Sequence, residues 1–132
     1  MPPNSDLEKY NQYIIKRPFP IMIANCRRHG EILAWSDGLN EYKIEVLGGT
    51  FINDNDHIIL MNEKRDRIAV IDERGNMVLE MNNSDSIYLM YLLNHPQYGL
   101  SVVASLNDGN DNWSDSILSF VSGRFEMVSK AR

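Results

Sequence analysis

From Ile21 onward, short runs rich in Ile, Val, Leu, Tyr and Phe recur between clusters of Gly, Asn and Asp. Apolar runs bounded by turn formers mark strands joined by hairpins. The pattern predicts ten strands: Ile21–Cys26, Glu31–Trp35, Tyr42–Leu47, His57–Met61, Arg67–Asp72, Met77–Met81, Ile87–Leu93, Leu100–Leu106, Ser116–Val121 and Phe125–Ser129. Two of them reveal their faces. In Tyr42–Leu47, Tyr42, Ile44 and Val46 point inward while Lys43 and Glu45 stay wet. In Arg67–Asp72, Ile68 and Val70 lie opposite Ala69 and Ile71, so both faces are apolar and the strand belongs between layers. Ile87–Leu93 also admits a short helix capped by Ser84 or Asp85. Its natural partner Leu100–Leu106, reached across residues 94–99, favours a strand. Ser36-Asp37-Gly38, Glu73-Arg74-Gly75-Asn76 and Ser122-Gly123 supply turn residues that accept positive φ.

The period differs ahead of Ile21. Ser5-Asp6-Leu7-Glu8 fits a capping box, with Ser5 at the N-cap and Glu8 at N3. Leu7, Tyr10 and Ile14 then share one helical face, and Pro18 and Pro20 end the element. A helix is predicted over 6–16, with its apolar stripe laid over a sheet face or edge.

The strands group into three units, about 21–47, 57–81 and 87–129, the last with an insertion. The closest internal match pairs Ile68–Val78 with Ile117–Met127, one residue being skipped before the glycine. The expected fold is mainly β: an antiparallel meander of about ten strands, as a sandwich, an open barrel or a propeller-like array, with one short N-terminal helix. It forms one domain over 1–132, with an arm at 1–20 and the meander at 21–132. These units resemble β-propeller blades, which implies antiparallel sheets repeated around an axis. No Trp-Asp pair closes each unit, and three units fall short of the roughly four blades a closed propeller needs. His95-Pro96-Gln97-Tyr98-Gly99, Val102-Val103-Ala104-Ser105 and Trp113-Ser114-Asp115 resemble small bacterial proteins carried on integron gene cassettes, a resemblance that implies no common activity.

At 132 residues, 43% of them hydrophobic and 23% charged, the chain has ordinary globular composition. A domain of this size buries about 68% of its unfolded surface. Cys26 is the single cysteine, so no intramolecular disulfide forms, in keeping with a reducing compartment. The start Met1–Asp6 lacks a basic stretch followed by an apolar run, and Ile87–Leu93 is far shorter than the roughly 20 residues of a membrane span. The expected location is cytoplasmic. The net charge of −5 disfavours nucleic acid, whose phosphates call for a basic surface. The basic clusters Lys16-Arg17, Arg27-Arg28 and Lys64–Arg67 suit turns and strand edges.

Candidate chemistry is sparse. Asp108, Asn110, Asn112 and Ser114 alternate as calcium-loop ligands do. The pattern then breaks, with Trp113 where the sharp turn needs glycine and Ser119 where the closing glutamate belongs. The commoner reading is a loop whose side chains satisfy their own backbone, and Asn53–His57 reads the same way. His29, His57 and His95 share no ligand spacing, Cys26 has no companion cysteine, and no cofactor is implied. Gly48-Gly49-Thr50 is too short for a phosphate loop. The aromatics remain: Trp35, Trp113, Tyr88, Tyr91 and Tyr98 can line a ligand pocket or a subunit interface, or simply pack the core. Trp113, in a polar loop, is the ring expected to be part exposed.

The leading expectation is a non-enzymatic binding module that associates with itself, because an open meander leaves unpaired strand edges. The alternative is a small-molecule binder built as a barrel with an internal cavity. A hydrolase using His57 and His95 with nearby carboxylates comes third.

Overall fold

The computed structural model describes residues 23–46 and 48–131. The predicted helix over 6–16 lies outside the described residues. Eleven strands occur among them: β1 (Ala24–His29), β2 (Ile32–Ser36), β3 (Glu41–Glu45), β4 (Thr50–Asn53), β5 (His57–Met61), β6 (Arg67–Asp72), β7 (Met77–Asn82), β8 (Ile87–His95), β9 (Gly99–Asn107), β10 (Trp113–Val121) and β11 (Arg124–Lys130). They form three antiparallel meander sheets, β1-β2-β3, β4-β5-β6-β7 and β8-β9-β10-β11. The strands are divided among separate sheets and do not close into a barrel, which removes the internal cavity that the barrel alternative required. No helix among the described residues is long and apolar enough to cross a membrane.

The three expected units are the three sheets, with two corrections. The first strand is shifted, running Ala24–His29 where Ile21–Cys26 was expected. Arg27, Arg28 and His29 look like turn residues, yet β1 is an edge strand with a wet face. There Arg27 reaches Glu41 at 3.5 Å, and the Arg28 guanidinium donates to the carbonyls of Gly30 and Gly49. The second unit gains β4. Its short apolar core, Phe51-Ile52, lies between two glycines and an Asn/Asp run and gave no strand signal. The internal match falls on equivalent places: β6–β7 and β10–β11 are the third and fourth strands of their sheets.

The middle sheet holds the molecule together because both of its faces are apolar. Ile58, Leu60 and Ile71 pack against Leu33, Trp35 and Val46 of the first sheet and its exit. On the opposite face, Ile59, Met61, Ile68 and Val70 pack against Leu89, Leu100, Val102, Ala104 and Leu118 of the third sheet. Full burial of such side chains stabilises by about 1.5–3 kcal/mol each. The expected two-sidedness of β6 and the alternation of β3 are both present.

Turns are tied by strand-end side chains accepting from the backbone ahead. Asp37 Oδ1 accepts from the Leu39 and Asn40 amides, Asp54 Oδ1 from Asp56 and His57, and Asp72 Oδ1 from Arg74 and Asn76. This chemistry fixes hairpins because the side chain mimics a backbone turn. Ser122 and Gly123 both have positive φ (53° and 86°), as a two-residue hairpin with the twist of its strands requires.

Ser116 breaks the pattern of satisfied polar groups. It pairs with Ala104 on the face turned to the middle sheet, is 1% exposed, and its hydroxyl has no hydrogen-bond partner among the described residues. A buried hydroxyl left unpaired costs about 1–3 kcal/mol. Ser116→Ala should therefore leave stability unchanged or raise it by up to about 1 kcal/mol in urea unfolding. A loss larger than that means the hydroxyl has a role in the fold.

Candidate functional site

The two outer faces of the stack differ in character. On the first sheet, Arg27, Glu41, Lys43 and Glu45 alternate with the inward side chains, giving a solvated face. On the third sheet, the residues opposite the core are Tyr88, Tyr91 and Leu93 on β8, Ser101, Val103 and Ser105 on β9, and Trp113, Asp115, Ile117 and Ser119 on β10. This face carries aromatic rings over a floor of small side chains.

A bulge builds it. Tyr88 pairs with Ser105 and Leu89 with Ala104, but the next pair is Tyr91 with Val103, so Met90 is the extra residue. In a regular strand residues three apart point to opposite sides. The inserted residue restores Tyr91 to the side of Tyr88. Tyr88 and Trp113 then flank Ser105 in a shallow hollow of about 240 Å³. Tyr88, Tyr91 and Trp113 are 59%, 49% and 44% exposed, as expected for Trp113. Tyr91 also borders a second hollow, with Phe51, Ile52 and Arg65 of the middle sheet. The small residues of the floor are tied down: Ser101 donates to the Gly99 carbonyl at 2.9 Å, so across 2.7 Å it accepts from the Ser119 hydroxyl.

The other candidates are placed elsewhere and are occupied by the fold. Trp35 is 1% exposed, its indole N–H donates to the Glu73 carbonyl at 2.7 Å, and its ring stacks on Tyr42 at 5.9 Å. His57 packs edge-on against Phe120, centroids 4.9 Å apart. His95 Nδ1 accepts from the amides of Gln97 and Tyr98, and its ring lies 4.8 Å from that of Tyr98. The two histidines thus serve different local structures, and Tyr98 belongs to the β8–β9 turn. Asp108 Oδ1 accepts from the Asn110 amide and Oδ2 from the Asn112 side chain, bonds that hold its carboxyl below the usual range. In Asp37, desolvation pushes the other way, yet the bonds from Asn40, Leu39 and the Tyr42 hydroxyl together lower it. These carboxylates are turn caps. No group of three or more His, Cys, Asp or Glu suited to a metal occurs among the described residues. Cys26 packs beside the first core cluster, and burial pushes its thiol pKa up.

Sequence reasoning named the three rings of this face but missed Ser105, Val103 and the Met90 bulge that unites them. The serines carried no functional pattern, and a bulge leaves no mark in an apolar run. Comparison with protein-family models, curated proteins and solved structures finds no match.

A third hollow, about 310 Å³, opens between the first and middle sheets beside Glu45, Leu60, Arg67 and Glu80. Arg67 lies 3.5 Å from Glu80 there, both part exposed, a pairing worth little in water.

Proposed function

We propose that this chain is a non-catalytic interaction module, a propeller-like wedge of three unclosed blades, which associates with a second copy of itself through the aromatic rim Tyr88, Tyr91 and Trp113. The carrying observation is the contrast between the charged outer face of the first sheet and the aromatic outer face of the third. Tyrosine and tryptophan give large contact area with a polar handle and are enriched where proteins meet. An isologous contact presents the same patch on both partners, so one rim suffices. Asp37, Asp54, Asp72 and His95 spend their acceptor atoms on turns, which favours binding over hydrolysis at those positions.

Sedimentation equilibrium tests this directly. The wild-type chain is expected to approach twice the chain mass at high concentration, and Tyr91→Glu with Trp113→Glu to return it to the monomer. A strictly monomeric wild-type chain across the concentration range refutes the reading.

A further inference from the structure

The three sheets leave six strand edges among the described residues, and five of them are guarded. An unpaired edge invites pairing with another chain, which charged side chains or a bulge prevent. β1 carries Arg27 and Arg28, β3 carries Glu41, Lys43 and Glu45, β7 carries Glu80, and β11 carries Arg124, Glu126 and Lys130. β8 is uncharged but bulges at Met90. β4, Thr50-Phe51-Ile52-Asn53, has neither a charged residue nor a break in its register with β5. We propose that the β4 edge takes up, by strand addition, an extended segment of a partner protein that carries an acidic residue two positions from an apolar one.

The backbone is set for this. The Asp54 amide donates to the His57 carbonyl at 3.0 Å, which makes theirs a hydrogen-bonded pair. Such pairs alternate along an antiparallel ladder, so Thr50 and Ile52 bond to β5 while the amides and carbonyls of Phe51 and Asn53 point outward. A hollow of about 240 Å³ lies along this edge, bordered by Thr50, Phe51 and Ile52 and by Tyr91 and Leu92 of β8. Phe51 borders it although its side chain packs with the first core cluster, on the opposite face from Ile52. The hollow therefore reaches the backbone itself. Its lining sets the side chains it would accept. Ile52, Met61 and Leu92 supply an apolar wall, and Arg65 stands at the Thr50 end, in the turn that follows Met61, the partner of Thr50. Among the described residues the Arg65 guanidinium has no hydrogen bond and no carboxylate, whereas Arg27, Arg67 and Arg124 each have a glutamate. Side chains on one face of a strand recur every second residue, about 7 Å apart. An apolar side chain beside Ile52 thus puts the residue two places on beside Arg65, where a carboxylate meets the unpaired cation. Tyr91 borders this hollow too, but the strand-adding groups belong to β4, and the site does not rest on the self-association proposed above.

Titration of the isotope-labelled full-length chain with the peptide acetyl-Thr-Val-Thr-Glu-Thr-amide tests this, at concentrations where centrifugation finds monomer. In the free chain the Phe51 and Asn53 amides should exchange fast with solvent, and those of Thr50 and Ile52 slowly. Peptide at up to about 1 mM should move the Phe51 and Asn53 amide resonances downfield and slow their exchange. Arg65→Gln, and separately a glutamine in place of the peptide's glutamate, should each weaken binding about threefold, as loss of a part-exposed ion pair does, and the two together no further. Asn53→Pro removes an outward donor without touching the ladder to β5, and should abolish binding in a chain still folded by circular dichroism. Slow exchange at Phe51 and Asn53 before peptide is added, no shift at either amide, or undiminished affinity in the Arg65→Gln or folded Asn53→Pro chain overturns the proposal. Every reading is made on monomer, so failed self-association leaves the titration standing, and a failed titration leaves the centrifugation result standing.

Discussion

Trp35→Ala is expected to cost about 3–5 kcal/mol of stability, the range for deleting a large buried ring. The ring is 1% exposed and sits among Leu33, Val46, Ile58 and Ile71, where the first and middle sheets meet. Its loss leaves a cavity that two stiff sheets collapse into poorly, so the transfer and cavity contributions add. The indole also does what no aliphatic residue there can. Its N–H holds the Glu73 carbonyl at 2.7 Å, and its six-membered ring lies under Gly75, where an added Cβ would stand 3.8 Å from Cζ2. Trp35 thus fastens the β2 strand to the β6–β7 turn of the neighbouring sheet. Trp35→Phe keeps the larger part of the apolar area but removes the donor and the part of the ring under Gly75, so its expected cost is about 2–3 kcal/mol. Domains of this kind have about 5–15 kcal/mol in hand. The alanine variant should therefore unfold at much lower urea, followed by circular dichroism, with the phenylalanine variant between it and wild type. A cost below about 1 kcal/mol for Trp35→Ala would return the residue to the pool of ligand candidates.

This residue shows how far a sequence can be read. That Trp35 lies on a strand followed from its neighbours, but whether it faced a pocket or a core depended on a sheet some forty residues away in the chain. Faces were legible where alternation was strict, as in Tyr42-Lys43-Ile44-Glu45-Val46, and where it failed on both sides, as in β6. Hairpins were legible because Asp37, Asp72 and Ser122-Gly123 carry turn chemistry locally. Strand β4 was not legible: two apolar residues between glycines and an Asn/Asp run become a strand only because β5 offers a ladder to join. The same holds for Arg27 and Arg28, whose strand conformation is set by pairing with β2. At the candidate site, the aromatic rings were visible and their arrangement was not. The extra residue at Met90 is a tertiary feature, and it decides that Tyr88 and Tyr91 share a face.

The glycine pair leading into β4 yields the second large effect. Gly48-Gly49, too short for a phosphate loop, serves a steric purpose. A Cβ on Gly49 would stand 2.1 Å from the Met61 carbonyl oxygen and 3.1 Å from Asn62 Cα, both backbone atoms of the neighbouring chain segment. Neither can swing aside as a side chain would. Gly49 itself has little room to retreat, since its amide donates to the Val46 carbonyl at 2.9 Å and its own carbonyl accepts from the Arg28 guanidinium. Any shift that admits a methyl group must open the crossover between the first and middle sheets. Gly49→Ala is therefore expected to destabilise by about 3 kcal/mol, the upper end of overpacking costs. Gly48 provides the internal control. Its φ is +83°, so alanine there is strained by about 1–2 kcal/mol, but the nearest atoms belong to the Glu63 side chain, which can move. The predicted order in urea unfolding is wild type, then Gly48→Ala, then Gly49→Ala as the least stable. The reverse order would mean that backbone conformation, and not close approach of the two chain segments, selects glycine at this crossover.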